Sequence, residues 1–275
     1  MGLTRLQRHA VPKVWGRTDL PAMFADVPSG GEAVGEIWFS DDADAEELLV
    51  KYLFTSERLS IQVHPDDKAA RAAGYARGKD EAWLILEAEP DATIGIGLHE
   101  PLGADALRTS LLDGSIEQKL DWKPVEAGEI HYSTAGNIHA IGAGLALIEV
   151  QQNVDLTYRL YDYGRPRELH LEEGLAVAVA EPVHSRRHPK PIAPGRALLI
   201  EGPKFVIELW QGVEAVIGED GEAPVWLIPV TDGTRVDGTP LAAGQVYLNR
   251  GRANLVVGPQ ADLLVAYAGG QIRFQ

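Results

Sequence analysis

From Glu47 to Tyr163, short apolar or alternating runs are separated by turn residues, and this spacing predicts β-strands. Leu48 to Phe54 and Leu59 to Val63 are two such runs, and Thr55-Ser56-Glu57-Arg58 between them suits a hairpin loop. Ala82 to Ala88 and Ala92 to Leu98 repeat the pattern around Glu89-Pro90-Asp91, and Leu145 to Gln152 with Leu156 to Tyr161 makes a third pair. Helical signals are few. Pro65-Asp66-Asp67 ahead of Lys68 to Ala73 reads as a capped helix with its acids at the positive end. Ala104 to Leu112 and Leu169 to Ala178 are two more, the second with Glu172 and Glu173 early in it. Near Val183 the pattern changes. The stretch from His184 to Pro191 is basic and contains prolines, which fits a linker or an extended crossing strand. Strand-like runs resume at Ala197 to Glu201, Phe205 to Trp210, Val225 to Val230, Gln245 to Leu248, Asn254 to Val257 and Leu263 to Ala268. Asp232-Gly233 and Asp237-Gly238 separate some of these in hairpin fashion. Many short strands and few helices predict a mainly β fold, a barrel or a sandwich, with room for two β units of similar size.

Length and composition narrow the chemistry. A chain of 275 residues accommodates one large domain or two smaller ones. There are no cysteines, so disulfides and thiolate metal sites are excluded and any metal must rest on N and O donors. A net charge of -15 argues against a nucleic-acid binder, which needs a basic footprint. It also means that an anionic substrate has to be captured by a local cluster, for which Lys79, Arg159 and Arg165 are candidates. The first residues carry no apolar leader segment and no run of about 18 apolar residues occurs, so the expectation is a cytoplasmic protein without a membrane span.

The stretch Leu59-Ser60-Ile61-Gln62-Val63-His64-Pro65-Asp66-Asp67 is the most informative in the chain. Residues i and i+2 of a strand share a face, so Gln62 and His64 project together while Val63 packs the other way. With Glu81 and His139 further along, an amide oxygen, two imidazoles and a carboxylate suffice for a four-ligand metal site with room for substrate. His64, Glu81 and His139 alone are also the two-histidine, one-carboxylate set of non-haem iron oxygenases, against which a fourth ligand at Gln62 would count. His131, two residues after Glu129, either approaches such a metal or points out of a short strand, the second being the expectation. His9, His99, His170, His184 and His188 read as surface or structural residues, and Trp38 and Trp83 as packing residues. The acidic run from Asp41 to Glu47 reads as a solvated loop or helix start, because it lacks the glycine and terminal glutamate of a calcium loop.

Gly128 to His139 resembles the second characteristic motif of cupin barrels, with Thr134 in place of the proline. Four segments in order then resemble type I mannose-6-phosphate isomerases: Gln62-Val63-His64-Pro65-Asp66, Gly78-Lys79-Asp80-Glu81-Ala82-Trp83, Asn137-Ile138-His139-Ala140-Ile141-Gly142, and Glu149 through Arg159. Val14-Trp15-Gly16 and Gly35-Glu36-Ile37-Trp38 are similar to that family's N-terminal segments, so the likeness spans roughly residues 10 to 165. The resemblance implies two cupin-like antiparallel β-barrel (jelly-roll) units with a few short helices, residues 1–180 being catalytic and 181–275 a second cupin-like unit. It implies one zinc ion per chain held by Gln62, His64, Glu81 and His139, active-site roles for Lys79, Asp155 and Arg159, and a sugar phosphate as substrate. In this reading Arg159 stabilises developing charge or holds phosphate, Lys79 has a lowered pKa and transfers a proton, and Asp155 orients a sugar hydroxyl unless it merely caps a turn. The chain departs from the family at Gly78, where many members have histidine, at Val154 in place of serine, and at Ser133-Thr134 in place of valine-proline. These departures leave a non-catalytic sugar-binding cupin as a further alternative.

Overall fold

A strand covered on both sides needs no polar face, and Leu48–Thr55 and Leu145–Gln152 are buried at every position. In the computed structural model, which describes residues 2–27, 30–40, 46–218 and 223–274, these two strands lie side by side at the centre of a seven-stranded sheet. Its order is Arg186–Arg187, Ile130–Ser133, Glu81–Ala88, Leu145–Gln152, Leu48–Thr55, Val34–Ser40 and Gln7–Arg17. One face meets a five-stranded sheet ordered Tyr158–Tyr161, Ile61–Val63, His139–Ile141, Thr93–Leu98 and Leu120–Pro124. Leu53, Trp83, Ile85 and Leu147 pack there with Ile94, Ile96 and Ile141. The other face packs on a second seven-stranded sheet, ordered Leu3–Arg5, Tyr247–Asn249, Val225–Pro229, Leu263–Ala268, Phe205–Trp210, Arg196–Glu201 and Lys190–Ala193. Val50, Tyr52, Ile148 and Val150 form that contact with Phe205, Ile207, Trp226 and Leu264. A four-stranded sheet closes the far side, and the helices Ala104–Asp113 and Leu171–Val177 cover the outside of the five-stranded sheet. The ladders run antiparallel.

The mainly β class is as expected, although the sheets face one another as open layers and do not close into barrels. The three predicted hairpins are a correction. Leu48–Thr55 pairs in the seven-stranded sheet, whereas Ile61–Val63 pairs with His139–Ile141 and Tyr158–Tyr161 in the five-stranded one. Glu81–Ala88 and Thr93–Leu98 are divided in the same way, and so are Leu145–Gln152 and Tyr158–Tyr161. Facing sheets lie about 10 Å apart, a gap that four extended residues span as easily as they turn a hairpin. A true hairpin forms at Asp237-Gly238, where φ is 48° and 81° and Thr234–Val236 pairs with Thr239–Leu241. Asp232-Gly233 instead leads from one sheet to another.

The predicted helix cap holds: the Asp66 carboxylate accepts from Ala69 N–H at 2.7 Å at the start of helix Asp67–Ala72. The basic stretch after His184 runs extended, with Arg186–Arg187 pairing to Ile130–Ser133 and Lys190–Ala193 to Arg196–Glu201. Of the acidic run, residues 41–45 lie outside the described residues. Among the described residues no helix is long and apolar enough to cross a membrane.

Candidate metal centre

On strand Ile61–Val63 the two apolar side chains join the core beneath the helices, and Gln62 faces the space between the sheets. Its neighbour across the ladder is His139. Glu81 opens its strand in the opposing sheet, and the ligand atoms of His64, Glu81 and His139, all buried, lie within 4.8 Å of one another. His64 Nε2 is 3.4 Å from Glu81 Oε2, and His139 Nε2 is 3.0 Å from Glu81 Oε1. The opposite ring nitrogens face backbone carbonyls, His64 Nδ1 at 2.9 Å from Leu156 O and His139 Nδ1 at 3.0 Å from Asn137 O. A carbonyl only accepts, so each Nδ1 carries a proton, the tautomer that leaves Nε2 as the ligand atom of a metal-binding imidazole. The Gln62 amide nitrogen is 3.2 Å from His139 Nε2, and half a turn of that amide presents its oxygen instead.

The electrostatics suit a cation. Neither Glu81 oxygen makes a well-aligned hydrogen bond among the described residues, although the side chain is completely buried. Lys79 Nζ lies 2.8 Å from Glu81 Oε2 and 3.2 Å from His64 Nε2. Burial, helped by the Lys79 charge and opposed by Glu81, pushes His64 down to about 3, so its imidazole stays neutral and able to ligate. Burial is the largest influence on Glu81 and works against its charge, but Lys79 together with the adjoining His64 and His139 overcomes it and holds the carboxyl well below its usual range. The lowered pKa expected of Lys79 is reversed. Burial opposes its charge, yet Glu81, Glu149 and Glu36 together hold the ammonium above its ordinary range.

A cavity of about 450 Å³ opens over this cluster, lined by Gln62, Lys79, Asp155 and Arg159 among others. Gln62 and Lys79 touch the cluster directly, so the structure brings all seven predicted site residues to one place. Asp155 is exposed. Arg159 donates through Nη1 to Glu168 O at 2.8 Å, while its buried Nε has no partner among the described residues. Arg165 is not part of this group. It pairs with Asp162 at 2.7 Å and lines a separate cavity, and Arg167 stands beside Arg159 instead.

Sequence reasoning missed a row of side chains that runs along the cavity wall and on into the core. Trp38, Lys51, Glu149 and Trp83 are successive cross-strand partners in the seven-stranded sheet. Lys51 Nζ lies 4.3 Å above the Trp38 ring and 3.4 Å from Glu149 Oε2, and Trp83 Nε1 donates to Glu149 Oε1 at 3.2 Å. Glu36, one step away, accepts from Trp38 Nε1 at 2.8 Å and pairs with Lys13 at 3.3 Å. Both tryptophans therefore anchor carboxylates as well as packing. Burial raises Glu149, whereas Lys51 and Lys13 overcome the same burial at Glu36 and lower it. A signal was present: Lys51 is the one charge inside an otherwise apolar strand. His170 also lines the cavity, which its reading as a surface or structural residue did not include. His131 lies outside the three-residue cluster, buried between Glu129 and Ser185 at 3.2 Å each, and does not point into solvent. Gly78 has a steric reason to lack a side chain. A Cβ there would lie 2.5 Å from Asp66 C and 2.6 Å from Asp67 N, so a histidine would force the backbone apart.

Facing β-sheets around a buried imidazole–carboxylate cluster, open to a polar cavity, define a sandwich suited to a divalent ion held by N and O donors. Over 270 residues the chain is 30% identical to the mannose-6-phosphate isomerase of Streptococcus mutans, a match covering 83% of this chain and 84% of that one. The chain belongs to the mannose-6-phosphate isomerase family. It is also 32% identical to a mannose-6-phosphate isomerase of Bacillus subtilis, over 75% of this chain and 67% of the relative. The crystal structure of the mannose 6-phosphate isomerase from Bacillus subtilis shares the fold, with a TM-score of 0.83 at 24% identity over 97% of this chain and 100% of that one. The apo form from Salmonella typhimurium does so with a TM-score of 0.73 at 16% identity, over 97% and 99%. No protein-family model matches the chain.

Proposed function

We propose that the chain is a zinc-dependent aldose–ketose isomerase that interconverts mannose 6-phosphate and fructose 6-phosphate in the cytoplasm, with its chemistry in residues 1–180. The observation that carries this reading is the convergence of His64, Glu81 and His139 beneath a polar cavity in a chain of this family. Gln62, His64, Glu81 and His139 would hold the ion, and the N and O donor set with its under-satisfied carboxylate fits zinc. Bound there, zinc supplies a Lewis-acidic positive centre for the sugar oxygens.

The reaction moves a proton from C2 to C1 through a cis-enediol and shifts negative charge onto the sugar oxygens. Lys79, held as an ammonium by Glu81 and Glu149 and lining the cavity, would donate to such an oxygen. Arg159 offers a fork of donors, one of them unpartnered, to the phosphate or to the enediolate. Asp155, which also lines the cavity, would accept from a sugar hydroxyl. A coupled assay of fructose 6-phosphate formation from mannose 6-phosphate tests the reading. Activity should vanish on chelation and return with zinc. Turnover that survives complete metal removal would overturn the metal's role, and no turnover by the zinc-loaded chain would overturn the substrate.

A further inference from the structure

The backbone around Lys79 is held by partners outside its own strand. Gly78 N–H donates to Asp67 Oδ1 at 2.8 Å, Lys79 N–H to Pro65 O at 3.1 Å, and Asp80 N–H to Gln152 Oε1 at 3.0 Å. Gln152 Nε2 in turn donates to Asp67 Oδ1 at 3.0 Å, so Asp67 and Gln152 form one brace spanning both sides of Lys79. The loop between Arg196–Glu201 and Phe205–Trp210 reaches this brace from the other seven-stranded sheet. There Lys204 Nζ lies 2.7 Å from Asp67 Oδ2. The same loop presses on Tyr132, since a Cβ on Gly202 would meet the Tyr132 hydroxyl at 2.3 Å. That hydroxyl donates to Asp80 Oδ2 at 2.6 Å.

We infer that Lys204 is a positioning residue: through Asp67 it fixes the Gly78–Asp80 backbone and thereby the place of the Lys79 ammonium. The inference rests on the active-site reading of Lys79 given above. Asp67 Oδ2 has a second cation, Arg71, but at 3.5 Å and from a largely exposed position on the same helix. Without Lys204 the carboxylate is free to swing toward Arg71 and solvent, and the Gly78 amide loses its acceptor. Burial is the largest single influence on Asp67 and disfavours its charge, but Lys204, the Gly78 amide and Gln152 together overcome it and keep the carboxyl well below the ordinary range. The Lys204–Asp67 pair is partly exposed, with side chains 31% and 22% accessible, so it adds little to global stability. A small displacement of a reacting group, by contrast, costs rate steeply.

The test compares Lys204→Ala with Lys204→Arg in the zinc-loaded full chain. Lys204→Ala should lower kcat about fivefold with KM, zinc content and Tm unchanged, and Lys204→Arg should recover to within about twofold. Amide hydrogen exchange at Gly78 and Asp80 should quicken in Lys204→Ala and not in Lys204→Arg. Exchange that stays at the wild-type rate in Lys204→Ala, exchange that quickens while kcat is unchanged, or failure of Lys204→Arg to recover overturns the inference. If the wild-type chain does not isomerise mannose 6-phosphate, the substrate reading falls, and the exchange comparison still decides separately whether Lys204 holds the brace.

Discussion

Glu81 and Glu208 are both completely buried between sheets, one in each half of the chain, yet their surroundings differ. Glu208 accepts from Arg196 Nε and Nη2 at 2.9 and 2.8 Å, from Trp210 Nε1 at 2.8 Å and from the Tyr267 hydroxyl at 2.7 Å. Its charge is neutralised and its oxygens are occupied. Glu81 has an ammonium and two imidazole nitrogens close by but no well-aligned hydrogen bond among the described residues. Burial alone therefore does not separate structural carboxylates from functional ones. The separation lies in whether the lone pairs have been satisfied by the fold or are left for something that binds.

That contrast can be broken by substitution. Glu81→Ala should remove metal retention and lower kcat/KM at least about ten-thousandfold, roughly 5 kcal/mol of transition-state stabilisation, in the coupled assay. The fold should survive. Glu208→Ala should do the reverse, costing about 3–5 kcal/mol in urea unfolding because Arg196 is left as an uncompensated buried charge. The rate per folded molecule should be unchanged. A Glu208→Ala enzyme as inactive as Glu81→Ala would end the distinction. The smallest effect sharpens it: Lys51→Met strips Glu149 of its paired cation and weakens the acidic surround that keeps Lys79 charged. It should reduce kcat about tenfold, close to 1.4 kcal/mol, without loss of metal.

Much of this site could be read from residue order because strand geometry is local. The alternation that sends Gln62 into the cavity and Val63 away from it is a two-residue property, and the Asp66 cap needs only the three residues that follow. Lys51 and Glu149 were harder. Each is one charge in a buried strand, and only the pairing of Leu48–Thr55 with Leu145–Gln152 makes them neighbours. That pairing joins segments far apart in the chain, and short loops that cross between facing sheets disguised it as hairpins. Arg167 and His170 reach the cavity from the segment between strand Tyr158–Tyr161 and helix Leu171–Val177, which has no periodicity to announce a direction. Gly78 is a departure from the family pattern, and the close passage of Asp66 and Asp67 gives it a backbone reason that residue order does not reveal.

The back-to-back contact of the two seven-stranded sheets bears on how the chain can be handled. A fragment ending at residue 180 would turn Val50, Tyr52, Ile148 and Val150 out to water, and the C-terminal remainder would bare Phe205, Trp226 and Leu264 while forfeiting the Leu3–Arg5 edge strand. Each piece would carry a wide greasy flank and precipitate when expressed alone. The cavity over His64, Glu81 and His139 should therefore stay in solution only in the company of C-terminal sequence that lines no part of it.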